Sequence, residues 1–319
     1  MTERDIPLFH DPLGEVLHLL KLNGTLYCRS ELSAPWGIEF PAFEHSVMFH
    51  IVSAGECWLH VEGQPPVLLK EGSLALLPHG QGHRISSPGT NTSQGLFDIP
   101  VEKVSDRLEI MHYGGGGEVT GLTCGVARFD HFTGQELTRC LPSVIHTDDL
   151  AAEENEWLQS SIRLIAREAA GMGPGSETLI THLADIMIIQ AIRRWLQQSS
   201  TDQQPVTAGW LTGLRDKHIG RALAAFHRRP GEDWSVQRLC AVAGMSRSVF
   251  MQKFSHLMGE SAGRYITRWR MQLGREMLQQ GKASITAIAS DLGYASESAF
   301  SRAFRREFGV PPGQVEKNQ

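Results

Sequence analysis

Two sets of mostly polar side chains lie at matching places in a pattern that the chain contains twice. The first set is Arg247, Ser248, Met251 and Gln252, and the second is Glu297, Ser298, Ser301, Arg302 and Arg305. Hydroxyl, amide and guanidinium groups hydrogen-bond to base edges in the major groove, where each base pair presents its own donors and acceptors. These residue types therefore favour an interpretation in which both sets read a DNA sequence.

The segments that position these side chains are typical of helix-turn-helix units. One runs WSVQRLCAVAGMSRSVFMQKF from Trp234, and the other runs ASITAIASDLGYASESAFSRAF from Ala283. Gly244 aligns with Gly293 at an offset of 49 residues, and each supplies the left-handed turn between two helices. Beyond the turn an offset of 50 aligns Phe250, Phe254, Gly259 and Gly263 with Phe300, Phe304, Gly309 and Gly313. A helical bundle without a nucleic-acid role is the alternative for a single unit, and the repetition favours DNA binding.

The charge of the chain is divided between its two parts. From Trp210 to the end there are 17 lysines and arginines against 9 acidic residues, whereas the first 209 residues hold 13 against 26. A basic block suits a phosphate backbone, because neutralised phosphates release counterions. The arginines that we expect to contribute are Arg264, Arg268, Arg270, Arg275, Arg302, Arg305 and Arg306.

The C-terminal part resembles the AraC/XylS class of bacterial transcription regulators from about Ile219 to Val315. The most specific stretch is IASDLGYASESAFSRAFRREFGVPPGQ, from Ile288 to Gln314. The resemblance implies that one long helix, about Ser261 to Gln280, sets two recognition helices into successive major grooves, which recur about every 34 Å on one face of DNA. By position, the implied base-reading residues are Ser248, Met251, Gln252, Ser298 and Arg302. We expect Arg247, Lys253, Arg305 and Arg306 to contact phosphates or the groove.

Short alternating runs between about Phe40 and Ile85 predict antiparallel β structure in a small sandwich or barrel. Within it, GSLALLPHGQGH (Gly72 to His83) resembles the second sequence motif of the cupins. That resemblance would place metal ligands at His50, Glu56 and His83, but Val52 occupies the position of a further histidine. Three ligands suffice in principle for zinc or iron. We nevertheless expect a barrel without a metal or other cofactor.

The chain as a whole resembles AraC regulators that carry an N-terminal cupin-like domain. In that group the DPLGEVL opening of the stretch Asp11 to Gly24 is an amphipathic helix that leads into the first strand, and Leu13, Val16, Leu17 and Leu20 give it one apolar stripe. The glycine run from Gly114 lacks the residues of a phosphate-binding loop and predicts a flexible connection.

Five cysteines without CxxC spacing argue against a zinc ribbon or a secreted disulfide framework. Cys28 and Cys124 resemble the cysteines implicated in oxidant-responsive members of the cupin-type regulators. Arg29, next to Cys28, would favour the thiolate that oxidants attack. The alternative is that both thiols are small apolar fillers of the core.

Two apolar helices, Asp148 to Ala170 and Glu177 to Gln198, are predicted around the break GMGPG. Their apolar residues exceed what one face needs, which indicates either a dimer interface or packing on the barrel. The polar segment Ser199 to Gly209 follows as an interdomain linker. No signal peptide or membrane span is recognised, so we expect a cytoplasmic protein.

The sequence thus predicts a two-domain α+β chain. A cupin-like barrel (residues 1–147), a dimerising helical hairpin (148–198) and a linker (199–209) precede a DNA-binding domain (210–319) that is all α-helical. The expected function is a homodimeric transcription regulator, most simply an activator that contacts RNA polymerase on promoter DNA and senses a small molecule or an oxidant. The alternatives are a cupin-type metal-dependent enzyme fused to a DNA-binding domain and an N-terminal domain that serves assembly alone. No catalytic residue is predicted.

Overall fold

The computed structural model describes residues 22–129, 132–146, 160–165, 167–168, 171, 173–198, 209–281 and 283–315. These residues form two compact units. The β unit contains residues 22–129 together with the described residues between 141 and 198, and the helical unit contains 132–140 with 209–315. The predicted opening helix from Asp11 and most of the linker lie outside the described residues.

In its described part the β unit contains the helical residues between 160 and 198 as well as twelve strands. They are β1 (Leu22–Ser33), β2 (Gly37–Phe40), β3 (Ser46–Ala54), β4 (Glu56–Val61), β5 (Val67–Lys70), β6 (Leu74–Leu77), β7 (His83–Ser86), β8 (Gln94–Gly95), β9 (Val101–Lys103), β10 (Leu108–Gly114), β11 (Val119–Phe129) and β12 (Ile145–His146). One sheet has the order β12-β6-β3-β11-β1-β10-β9, and the other has the order β5-β4-β7-β2-β8. The strands predicted between Phe40 and Ile85 are confirmed.

The inner faces of the two sheets share one core. Met48, Val52 and Leu122 come from the first sheet and pack with Leu59 and Ile85 of the second. Their burial follows from the alternation of the strands, which turns every second side chain inwards. A cupin-like barrel with a side-chain core is the result.

Besides the helical residues 160–165, nine α-helices have both ends in the described ranges. They are α1 (Phe132–Arg139), α2 (Ser176–Gln198), α3 (Trp210–Arg215), α4 (Lys217–Arg228), α5 (Val236–Ala243), α6 (Arg247–Met258), α7 (Ala262–Gln280), α8 (Ile285–Asp291) and α9 (Glu297–Phe308). None of them combines the length and apolar character that a membrane crossing requires.

The predicted helical hairpin is present where the structure describes it. Residues 160–165 are helical, and α2 follows after the break at Gly173 to Gly175. The hydroxyl of Ser176 donates a 2.6 Å hydrogen bond to the Glu168 carboxylate across this break. Ile162, Ile165, Met187 and Ile192 are buried, whereas Leu164, Leu179 and Ile186 are more than two-fifths exposed.

The long helix α7 organises the helical unit. Ser261 caps its first turn by accepting a hydrogen bond from the Arg264 amide, and Gly281 ends it in a left-handed conformation. Tyr265 and Trp269 of α7 are buried, and both pack against Phe226 of α4. The prediction of one long helix from Ser261 to Gln280 is confirmed.

Helix α1 belongs to the helical unit although the sequence interpretation assigned residues 1–147 to the barrel domain. The ring of Phe132 meets that of Trp269 edge-on, with centroids 4.5 Å apart. Glu136 forms a 3.2 Å ion pair with Arg268 of α7. The structure therefore differs from the predicted domain boundary over residues 132–140, because an aromatic contact and an ion pair join this helix to α7.

Candidate DNA interface and barrel cavity

Both predicted helix-turn-helix units form as α5–α6 and α8–α9. Gly244 and Gly293 adopt left-handed conformations, with φ angles of 66° and 77°. Ser235 and Ser284 cap the supporting helices α5 and α8 by accepting hydrogen bonds from backbone amides three residues further on. Each turn thus has the residue that its backbone requires.

Two phenylalanines hold each second helix against the unit. Phe250 and Phe254 of α6 and Phe300 and Phe304 of α9 are almost completely buried. With these faces packed, the opposite faces point away from the core. The predicted DNA-contacting residues that the structure leaves exposed are Arg247, Ser248 and Gln252 on α6, and Ser298, Arg302, Arg305 and Arg306 on α9. Met251 and Lys253 are half-buried.

The guanidinium groups on these faces differ from those on α7. Among the described residues, Arg247, Arg302 and Arg305 have no side-chain hydrogen bond or ion pair, so their charges are available to a ligand. Lys253 instead forms a 2.6 Å ion pair with Asp216, the residue that caps α4. Lys253 therefore has a structural contact within the helical unit as well as its predicted role at the DNA.

Three arginines that the charge argument included serve the interior of the helical unit. Arg268 pairs with Glu136 and Glu260 at 3.2 and 2.8 Å. Arg270 donates to the carbonyl oxygens of Pro230 and Glu232, each at 2.7 Å. Arg275 lies over the ring of Phe308, 4.8 Å from its centroid. The charge count therefore overstated the cations that are free to meet phosphates.

In the β unit, strand register places a row of functional side chains across the inner face of one sheet. His50 lies opposite Cys124, Cys124 lies opposite Cys28, and Cys28 lies opposite Glu109. All four line one cavity. Because they come from β3, β11, β1 and β10, only the pairing of the strands brings them together.

A chain of hydrogen bonds ties this row to the second sheet. His83 Nδ1 lies 3.0 Å from the carbonyl oxygen of Gln81, which only accepts, so His83 donates there. The Nε2 atoms of His50 and His83 are 2.8 Å apart, and His50 Nδ1 is 3.0 Å from the Cys124 sulfur. In the neutral state His83 Nε2 must accept from His50, and His50 Nδ1 must accept from the Cys124 thiol.

Burial keeps the members of this hydrogen-bond chain, His50, His83 and Cys124, in their neutral forms. It lowers the pKa of His50 well below its ordinary value of 6.5, and the neighbouring His83 lowers it further. Burial also lowers the pKa of His83 to about 4. The phenyl ring of Phe40 stacks on His83 with centroids 4.7 Å apart and excludes water from it.

The donor set does not fit a cupin metal centre. His50 and His83 are together, but Glu56 is exposed at the start of β4 and Val52 is a buried core residue. The second ring nitrogen of His50 is occupied by Cys124. Within the described ranges, no group of three or more histidine, cysteine or acidic side chains is placed to hold a metal ion. The three ligands that the cupin resemblance would supply are therefore not brought together.

Cys28 and Cys124 are neighbours on adjacent antiparallel strands, a proximity that the sequence did not reveal. Burial raises the pKa of Cys28, which a hydrogen bond with Ser30 only partly offsets. Burial raises the pKa of Cys124 well above its ordinary value. Arg29 pairs with Glu31 at 2.6 Å. The expectation that Arg29 favours a Cys28 thiolate is wrong, since both thiols are held in their protonated form.

The cavity beside this row has a volume of about 410 Å³. Its lining is mainly apolar: Leu26, Phe40, Phe43, Met48, Leu96, Phe97, Ile99, Val101, Met111, Gly125 and Val126 join His50, Cys28, Cys124, Glu109 and Arg128. The volume lies in the range of small-molecule sites, about 300–1,000 Å³. Sequence reasoning missed Phe43, Phe97, Glu109 and Arg128, because no local motif distinguishes them.

Comparison with known proteins identifies the family. A family model described as Cupin matches residues 11–197, and one described as Helix-turn-helix domain matches residues 239–318. A putative AraC-like transcription regulator of Streptomyces lividans is 32% identical over 312 residues, which are 97% of this chain and 98% of the relative. The chain belongs to the AraC-like transcription regulators and carries an N-terminal cupin-like domain and a C-terminal DNA-binding domain.

Two further similarities concern proteins with stated roles. The RCS-specific HTH-type transcriptional activator RclR of Escherichia coli (strain K12) is 26% identical over 95% of this chain and 96% of its own length. The solved DNA-binding domain of AdpA in complex with a target DNA covers 31% of this chain and 87% of that chain, with 26% identity and a TM-score of 0.30. Because its full-length relatives are transcription regulators, the chain is a regulator rather than a cupin enzyme with a DNA-binding tail.

Proposed function

We propose that this regulator is a one-component switch in which an effector enters the barrel cavity and changes the affinity of the helical unit for promoter DNA. The observation that carries the proposal is the combination, in one chain, of a 410 Å³ cavity with two helix-turn-helix units whose outer faces are exposed. An effector acts by binding two arrangements of the protein with different affinity.

The proposed DNA contacts use α6 and α9 in successive major grooves. Ser248, Met251, Gln252, Ser298 and Arg302 read bases, while Arg247, Lys253, Arg305 and Arg306 contact phosphates or the groove. Selection of bound fragments from a genomic library tests this arrangement. Two half-sites about one helical turn apart are expected. Failure of the full chain to enrich any motif, with or without candidate effectors, would contradict it.

Dimerisation through the helical hairpin is part of the proposal. Leu179 and Ile186 lie seven residues apart on α2, and both are exposed. Two apolar residues at this spacing share a helix face, which suits an interface between two copies. Analytical ultracentrifugation of a Leu179→Ser, Ile186→Ser variant should show loss of the dimer. A Val119→Ser change, at an exposed apolar residue of β11, serves as the matched control.

Activation through RNA polymerase is proposed because the relative RclR is named a transcriptional activator. In vitro transcription from a selected promoter, with purified polymerase and increasing regulator, should show a rise in transcript. A fall would identify the chain as a repressor at that promoter.

Oxidation is a second candidate signal, favoured by the position of Cys28 directly opposite Cys124. With hydrogen peroxide as the probe, the two thiols lose two protons and two electrons and form one disulfide, while one peroxide is reduced to two waters. Intact mass measurement should show a loss of two hydrogens that Cys28→Ser abolishes. An unchanged effect of peroxide on DNA binding in Cys28→Ser would exclude this signal. The raised thiol pKa values predict a slow reaction.

A further inference from the structure

Charge and apolar surface are arranged along the cavity in a definite order. Glu109 lies in the row that also contains Cys28 and Cys124. Leu26 and Val126 are paired with each other, and they lie two residues from Cys28 on β1 and from Cys124 on β11. Arg128 lies two residues beyond Val126. Four strand residues span about 13 Å. Glu109 and Arg128 therefore belong to different parts of the cavity lining.

Glu109 is a half-buried carboxylate in the lining of the cavity. In the described part of the chain, its side chain has no hydrogen bond or ion pair. Lys103 lies opposite it in register, but the Lys103 ammonium is engaged with Asp106 at 3.0 Å. Of the lysines and arginines that the structure describes, Arg128 alone lines the cavity, and it is exposed to solvent. A carboxylate that is partly removed from water is stabilised by an opposite charge.

The rest of the cavity offers a surface for an apolar body. Leu26, Phe97 and Val101, at 40%, 78% and 41% exposure, form an apolar rim. The rings of Phe43 and Phe97 meet edge-on with centroids 6.1 Å apart. Aromatic faces attract cations as well as apolar groups, and exposed apolar surface of this kind is typical of binding sites.

We propose that the cavity binds an amphiphilic organic cation, with its ammonium group at Glu109 and its apolar body between the apolar rim and the core. This inference rests on the proposed function and names the chemical class of its effector. An anionic amphiphile would place its carboxylate beside Arg128, which water already solvates, and would leave Glu109 unpaired. The acidic balance of the first 209 residues, 26 acidic against 13 basic, also favours entry of a cation.

Three probes with the same chain and different head groups test the charge preference. Decylammonium, decanol and decanoate are titrated into the full-length protein by calorimetry, below their micelle concentrations. A charge-assisted hydrogen bond predicts that decylammonium binds at least about tenfold more tightly than decanol. Equal binding of the three, or tightest binding of decanoate, would overturn the proposal.

Variants locate the head group. Glu109→Gln should reduce decylammonium binding to the level of decanol, whereas Glu109→Asp should retain part of the preference. Arg128→Gln and Glu102→Gln should keep the preference, since the former is the distant cation and the latter an exposed carboxylate on the neighbouring strand β9. Unchanged decylammonium binding by a folded Glu109→Gln protein would refute the assignment. Thermal unfolding of every variant establishes that it is folded.

DNA binding separates this inference from the proposed function. Operator affinity of the wild-type protein is measured with and without decylammonium. Cation binding that depends on Glu109 but leaves operator affinity unchanged would support the site and contradict its role as the effector site. A change in operator affinity that is absent in Glu109→Gln would support both.

Discussion

The two helix-turn-helix units share a backbone pattern but present different surfaces. On α9, Arg302, Arg305 and Arg306 are all exposed. On α6, Arg247 and Gln252 are exposed together with Val249, which is 52% exposed, and Lys253 is paired with Asp216. The exposed face of α9 is therefore the more cationic, and that of α6 is the more apolar. The repeat preserves the helix-turn-helix backbone, whereas charged and apolar side chains are distributed unequally between the exposed faces of α6 and α9.

The turns differ as well. At Gly244 the space where a Cβ atom would lie is open, whereas at Gly293 a Cβ would lie 2.3 Å from the carbonyl oxygen of Gly231. The second unit is thus packed against the loop before α5, while the first turn faces open space. Matched substitutions in the two units distinguish local backbone preference from this packing.

The largest difference is expected for Gly293→Ala against Gly244→Ala. Both substitutions introduce a Cβ at a positive φ, which costs about 1 kcal/mol. Gly293→Ala also displaces the backbone at Gly231, so we expect a total loss of about 3 kcal/mol in the local opening free energy. Hydrogen exchange of the α5, α8 and α9 amides in the full-length protein measures the local opening free energy. Equal losses in the two variants would contradict the tight packing of the second turn.

The next difference concerns DNA affinity. Arg302→Ala should weaken operator binding by about 2 kcal/mol and relax the sequence preference at one base pair, because Arg302 is proposed to read a base. Arg247→Ala should weaken all sequences alike and reduce the salt slope by about 1, as loss of a phosphate contact does. Competition binding against single-base operator variants at several salt concentrations distinguishes these outcomes. Unchanged preference in Arg302→Ala would remove it from the base-reading set.

Helix capping gives a smaller contrast. Ser296 accepts a 3.2 Å hydrogen bond from the Ala299 amide at the start of α9, while Ser246 makes no such bond at the start of α6. Ser296→Ala should therefore lower stability by about 1 kcal/mol, and Ser246→Ala by only a few tenths. Amide exchange in the first turns of α6 and α9 measures both. A larger loss in Ser246→Ala would reverse the comparison.

The smallest expected effect is at Met251. Its thioether does not form the bidentate hydrogen bonds of arginine or glutamine, so it is proposed to contact a thymine methyl group. Replacing that thymine by uracil should cost the wild-type protein about 0.8 kcal/mol, the value of one buried methyl-sized group. Met251→Ala should bind both operators equally. A thymine preference that survives in Met251→Ala would exclude the contact.

Local patterns predicted the helical unit well because its elements depend on residues that are near in sequence. The turn glycines and the pinning phenylalanines recur at fixed offsets, and Ser261 and Gly281 mark the ends of α7. Interior roles were less predictable. Arg268 and Arg270 resemble surface cations in sequence. However, Arg268 pairs with Glu136 and Arg270 donates to the carbonyl oxygen of Pro230, and each of these partners is 40 residues or more away in the chain.

In the barrel, the sequence by itself determined the strands between about Phe40 and Ile85, the cupin-type glycine turns and the presence of His50, His83, Cys28 and Cys124 at separate places in the chain. Only the tertiary structure decided that the imidazoles form a neutral hydrogen-bonded chain, that the two thiols are neighbours and that Glu56 is remote from a metal site. Side-chain alternation is a local property of each strand. The identity of opposing residues depends on the register between distant strands, and that register places Glu109 beside Cys28 in the cavity.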